Sequence, residues 1–190
     1  IIGTHPTPPL WQGGADAPQW STGEVLHDEP WLDYNQSQPG HGKPRTEMIP
    51  LIVAADYARV PAKPIVFTEP WYEFVEGNPP AADVRFGAWS AMLSGAAGQT
   101  YGGGHVWWAH LPEASFETNT LDYPGALGMS FLARFLKSIE WWRLEPHPEL
   151  IHDYPARFCA AVPGEEYVVY VRWSGALRLD LRPSSESDEF

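Results

Sequence analysis

Short apolar runs alternate with stretches of helical period along the first 145 residues, and that alternation restricts the chain to few architectures. Residues 1–5, 31–41, 64–68 and 98–108 read as strands, the last broken by three glycines, and a long Pro- and Gly-rich loop separates the first two. Residues 47–59 predict a helix with Ile49, Ile52, Val53 and Tyr57 near one face and Pro50 in its first turn. A second helix is expected over 82–94, ending at Gly95. A third should be capped by Asp122, with Pro124 in its first turn and Leu132, Phe135, Leu136, Ile139 and Trp142 along one face. The order strand, loop, strand, helix, strand, helix, strand, helix predicts an α/β fold with a parallel sheet and crossover helices. Four such strands make half of a (β/α)8 TIM barrel.

After "EPHPEL" the period changes. Residues 167–173 and 176–182 predict two strands joined by a tight turn at Ser174-Gly175, with Leu177, Leu179 and Leu181 alternating against Arg178, Asp180 and Arg182. A lone hairpin is marginally stable, so this end reads as the start of an antiparallel β domain. The expected division is residues 1–150 for the barrel portion and 151–190 for the β portion. The chain begins at Ile1 inside an apolar run, without an initiator Met, and ends in "RPSSESDEF". A piece of a longer protein, the C-terminal part of a barrel, is therefore expected.

Twelve basic residues against 24 acidic ones give a net charge of −12, with the cations scattered, which disfavours nucleic acid as a partner. Cys159 is alone, so neither an internal disulfide nor a cysteine zinc site forms, and the seven His show no close metal-ligand spacing. No metal and no cofactor are expected. No apolar run is long enough to span a membrane and no secretory signal is present. Ten Trp supply flat faces that suit protein cores and sugar rings alike, and twenty Pro favour shaped loops.

In "KPIVFTEPWYE" a carboxylate, Glu69, follows an apolar strand directly. A glycosidase needs two carboxylates flanking the scissile bond, and a strand end holds one rigidly. An ordinary loop acid is the competing reading. Glu73, four residues on, would tune or orient Glu69 by like-charge repulsion, with Tyr72 between them. Asp33, Asn35, Gln36, Gln38 and His41 line the second strand and its exit, as hydrogen-bonding groups for a polyhydroxylated ligand or as an internal polar network. "TYGGGHVWW" lacks the endings of a phosphate loop and of a dinucleotide fingerprint. Its glycines let the backbone turn sharply, which makes Tyr101, His105, Trp107 and Trp108 candidate pocket walls.

Taken together, "WLDYNQSQPGH", "KPIVFTEPWYE", "GAAGQTYGGGHVWW" and "DYPGALGMSFLARFLKSI" resemble the apiosidase-like glycoside hydrolases, from Ile1 to about Arg182. Members often carry a C-terminal β domain with a collagen-binding label that nothing in these residues supports. The resemblance implies a (β/α)8 barrel with a retaining-type pair of carboxylates, the acid/base at the end of strand four and the nucleophile at the end of strand seven. Glu69 falls on the strand-seven position, with Tyr72 and Glu73 as supports. Residues 1–5 fall on strand five, so strand four and its acid would precede Ile1. His5, Gln38, His41, Tyr101 and Trp107 are the expected substrate contacts. The implied substrate is an oligo- or polysaccharide of plant cell-wall or pectic type, and the implied location is secreted or periplasmic. Two alternatives stay open: a non-catalytic carbohydrate-binding barrel, and a surface-adhesion module in the β portion.

Overall fold

The computed structural model describes residues 1–6, 20–75, 77–107 and 122–181, apart from the side chains of His105 and Trp107. Three parallel strands, β1 (Asn35–Ser37), β2 (Ile65–Phe67) and β3 (Gly98–Gln99), form a sheet in the order β1-β2-β3. Asn35 sits opposite Ile65, and Phe67 opposite Gln99. Two short helices, α1 (Gly23–Leu26) and α2 (Lys43–Thr46), flank β1; α3 (Ile49–Tyr57) connects β1 to β2, and α4 (Ala81–Leu93) connects β2 to β3. Ile65 and Phe67 point from the same face of β2 into one cluster with Ile49 and Val53 of α3, Ala91 of α4, and Ala96. Both crossovers therefore lie on one side of the sheet. That is how a barrel wall is covered, whereas a doubly wound sheet takes helices on both faces.

Helix boundaries follow local chemistry. Pro50 occupies the first turn of α3, where its missing N–H costs nothing. Gly95, at φ 106°, ends α4 in the left-handed region, and the ring of Tyr57 lies where a Cβ would stand. The next helices are α5 (Gly104–Trp107) and α6 (Pro124–Lys137). On α6 Leu132 is buried and Phe135 packs on Trp89, but the helix stops at Lys137. Trp142 belongs to a following 3₁₀ turn and is 67% exposed, off the expected buried face.

Three further expectations are corrected. Residues 1–5 form no ladder: Ile2 O accepts one bond from Asp33 N at 2.9 Å, and Ile2 N is taken by the Asp33 carboxylate at 2.6 Å. The 98–108 strand ends at Gln99, because the glycines carry the backbone sideways onto the Tyr72–Val75 loop, where Gly104 N bonds Glu73 O at 2.7 Å. Tyr123, not Asp122, caps α6, with no side-chain capping bond.

The Ser174-Gly175 hairpin is also absent. β6 (Phe158–Val162) pairs antiparallel with β7 (Glu166–Tyr170) and with β4 (Glu145–Pro146), while β5 (Ile151–His152) pairs with β8 (Arg178–Leu179). The run "FCAAV" buries Cys159, Ala160 and Ala161 almost completely, Leu177 and Leu179 pack against the cluster of Ile151, Tyr154, Cys159 and Ala161, and Leu181 is left 58% exposed. The Tyr154 hydroxyl donates to Trp173 O at 2.6 Å and accepts from Trp173 N at 2.8 Å, holding the chain away from a hairpin turn.

The β4-β6-β7 sheet packs on α4. Leu93 meets Ala160 and Val168, Phe86 meets Phe158 edge-on, and Trp89 stacks on Tyr170 at 5.8 Å. Arg172 bolts the junction: its guanidinium lies 3.8 Å from the centre of the Phe86 ring and bonds Glu47 at 2.7 Å and Asp83 at 3.1 Å.

Behind β1 lies a buried polar knot. Asp56 of α3 accepts from Ser21 Oγ and from Arg59 Nε at 2.9 Å. Asn35 Nδ2 donates to His27 Nδ1 at 3.1 Å, so the His27 proton sits on Nε2 and is donated to Pro61 O at 2.9 Å. Glu24 stands at its edge with Oε2 buried and without a hydrogen-bond partner among the described residues. Burial, and then the charge of Asp56, raise its carboxyl above the ordinary value of 4.5, against the opposing pull of Arg59 and a bond from the Trp20 backbone. Between 4.5 and that raised value the folded chain holds a proton that the unfolded chain has lost, so stability falls as pH rises through the window. Glu24→Gln should therefore raise the melting temperature at pH 7 and leave it unchanged at pH 4; an equal shift at both pH values would refute the charge argument.

Candidate active site

Parallel register brings the C-terminal ends of β1 and β2 side by side, with Thr68 N donating to Ser37 O at 3.1 Å. Gln38 and Glu69 extend just beyond those ends. Tyr34, Gln36 and Gln38 share the face away from the helices by the period of two, and Gln36 Nε2 donates to the Tyr34 hydroxyl at 2.9 Å. Tyr34 was missed in the sequence; strict alternation with Gln36 and Gln38 is the signal that finds it.

Glu69 is the meeting point. Gln38 Nε2 donates to its Oε2, which His5 Nε2 approaches at 3.3 Å, and His41 Nε2 lies 3.4 Å from Oε1. The Glu69 side chain keeps 20% of its surface open. Tyr72 packs its ring on His41 at 4.8 Å and a 48° tilt, and its hydroxyl is pushed up to about 12, first by burial and then by the charge of Glu69. It therefore remains a protonated donor at neutral pH. Gly102 lets this ring sit where it does, because a Cβ there would fall inside it. Gln38 and His41 from the loop after β1, and His5 from the N-terminal segment, thus surround one carboxylate that is still reachable from outside.

Glu73 points elsewhere. It is 3% exposed, and its Oε2 accepts from the Tyr101 hydroxyl at 2.5 Å while its Oε1 accepts from Gly125 N at 3.0 Å. Burial, then the Glu73 bond and charge, raise the Tyr101 hydroxyl strongly, so it too stays a donor. The carboxylate meets the N-terminus of α6, where backbone dipoles favour negative charge. Beside it Phe74 adopts φ 63°, and its N–H is held by the Asn78 side chain at 2.8 Å. The structure thus brings His5, Gln38, His41 and Tyr72 around Glu69, and joins Glu73 and Tyr101 in a separate strut. The Tyr101 hydroxyl, expected to meet substrate, is spent on that strut. Trp107 lies in α5 with its side chain outside the described residues, and so does all of Trp108. Among the described residues no cluster of His, Cys, Asp or Glu is arranged to hold a metal ion, and no helix is long and apolar enough to cross a membrane.

Comparison with known proteins bears on this arrangement. The model of the apiosidase-like catalytic domain family matches residues 2–143. A solved structure described as a glycoside hydrolase superposes with a TM-score of 0.63 at 21% identity, over 74% of this chain and 39% of its own. A glycoside hydrolase family 5 structure from Bacteroides vulgatus ATCC 8482 superposes with a TM-score of 0.62 at 21% identity, over 75% and 38%. At that identity the likeness is one of fold, and the chain spans about two fifths of the length of these structures. No curated protein matches it.

Proposed function

This chain belongs to the apiosidase-like catalytic domain family, and from that premise we propose that it forms the nucleophile-bearing part of a (β/α)8 glycoside hydrolase acting on plant cell-wall or pectic-type glycans. Residues 1–150 belong to the barrel and 151–190 to a small β domain whose sheet recruits β4 across the boundary. The observation that carries the reading is the gripped carboxylate. Glu69 stands at the C-terminal end of a parallel strand, on the end where such sheets do chemistry, between two imidazoles and an amide.

In the reaction Glu69 attacks the anomeric carbon while a second carboxylic acid protonates the departing oxygen; water then cleaves the glycosyl ester. Gln38 fixes the orientation of Oε2, and His41, steadied by the Tyr72 ring, does the same for Oε1. His5, more open to solvent at 54% of its side chain, is placed to meet a sugar hydroxyl. A polymeric substrate of this class is met outside the cytoplasm, which points to a secreted or periplasmic protein. The test is release of new reducing ends by the full-length protein from a panel of pectic and hemicellulosic glycans, with the first-formed anomer read by proton NMR. Retention of configuration is the expected result. Inversion would remove Glu69 as nucleophile, and binding without any release would make the barrel a carbohydrate-binding module.

A further inference from the structure

A second cleft lies at the N-terminal end of β3, at the opposite end of the sheet from Glu69. Its volume is about 660 Å³, within the usual range for a small-ligand site, and it lies between the Trp141–Arg143 turn, the Gly95–Ala97 segment and β6. Trp141 and Trp142 stand nearly perpendicular, at 78° with ring centres 6.5 Å apart, and Trp142 is two-thirds exposed. Tyr57 supplies a third ring, seated on the backbone of Gly95, whose φ of 106° and missing Cβ make room for it.

The polar groups at this cleft are exposed side chains on its rim. Arg143 is held by Glu140 at 3.2 Å and by Glu165 at 2.7 Å. Burial first, and then the charge of Glu145, raise the Tyr57 phenol, so it stays a donor. Glu145 and Arg143 line the cleft, and Glu140 and Glu165 pair with Arg143 from beside it, so three carboxylates stand at or next to the cleft against one guanidinium, on a chain already at −12. An anionic polymer is repelled there. An uncharged polyol is not: its C–H faces stack on indole while its hydroxyls find a carboxylate, a phenol and a guanidinium.

We propose that this cleft is a second, non-catalytic binding site for one or two sugar rings of a neutral glycan, with Trp142 as its stacking platform. The proposal rests on the glycan-active reading above and commits it to a neutral portion of the polymer. By anchoring the polymer away from Glu69, the site would raise the local concentration of cleavable bonds.

The test is affinity gel electrophoresis of the full-length protein through arabinoxylan, xyloglucan and polygalacturonate, for the wild type, Trp142→Ala, Trp142→Phe and Glu69→Gln. Retardation by at least one neutral polymer and none by polygalacturonate is expected. Trp142→Ala should weaken retardation about tenfold, the equivalent of one lost stacking contact. Trp142→Phe should retain part of it and Glu69→Gln all of it. Cleavage of a short soluble substrate should be unchanged in Trp142→Ala. Equal retardation of Trp142→Ala and wild type, or none of the wild type by any neutral polymer, overturns the proposal. So does a wild-type dimer that Trp142→Ala dissociates, since a second copy would then fill the cleft. Hydrolysis by the wild type is scored separately, so loss of this site leaves the assignment of Glu69 standing, and the reverse.

Discussion

Glu69→Gln in the full-length protein should lower kcat about a thousandfold or more while glycan affinity stays within about twofold. The substitution keeps the shape of the side chain and one oxygen for Gln38 to bond, so the cleft is preserved. What disappears is the negative oxygen that would form the glycosyl ester, and an amide is a very poor substitute. A sharper version replaces Glu69 with Gly and adds azide, which should restore turnover of an activated aryl glycoside and yield the glycosyl azide of inverted configuration. The neighbours should behave differently. Gln38→Ala and His41→Ala orient the carboxylate without reacting, so each should cost about 10- to 100-fold in kcat with little change in KM. If Glu69→Gln retains more than a tenth of the wild-type rate, the acid after "KPIVFT" is a loop residue and the functional reading fails with it.

The second large effect is on stability. Glu73→Ala should destabilise the chain by about 3 kcal/mol, measured by urea unfolding, because it strands one buried and one half-buried donor and removes a charge from a helix N-terminus. The donors are the Tyr101 hydroxyl and Gly125 N, and they join the loop after β3 to α6 through one side chain. Glu73→Gln keeps one acceptor and should cost about half as much. Gly125→Ala is an independent probe, since its methyl would stand where the Glu73 carboxylate now lies, and should approach the loss of Glu73→Ala. A cost below about 0.5 kcal/mol for Glu73→Ala would mean the carboxylate is not a strut, that being the range of ordinary surface changes. Because Glu73 and Glu69 serve different neighbours, Glu73→Gln should change unfolding far more than it changes KM.

Much of the parallel unit was legible in the residues. Pro50 and Pro124 opened helices where their rings cost least, Gly95 closed one, and the apolar run Ile65–Phe67 formed its strand with Glu69 at the exit. These are local effects, settled within a few residues by sterics and period. His5, Gln38 and His41 were expected as substrate contacts; their gathering on Glu69 was not read from the sequence, because spacing gives no distances. Tyr34 needed nothing more than the alternation.

The failures share one cause. Strand period reports which face is buried but not which strand lies alongside, so "FCAAV" went unread and the alternating leucines suggested a hairpin that does not form. Burial of Cys159, Ala160 and Ala161 against neighbours distant in sequence chose the pairing. Likewise Glu73 follows Glu69 by four residues, yet a turn through Phe74 and the glycines at 102–104 sends its carboxylate to α6. The sequence by itself determined the three long helices α3, α4 and α6, the Pro-led starts of α3 and α6, the Gly95 stop of α4 and the placing of an acid beyond a strand, because those depend on backbone sterics and nearest neighbours. Only the tertiary structure decided which groups that acid meets and which strands pair, because both depend on desolvation shared among residues far apart along the chain.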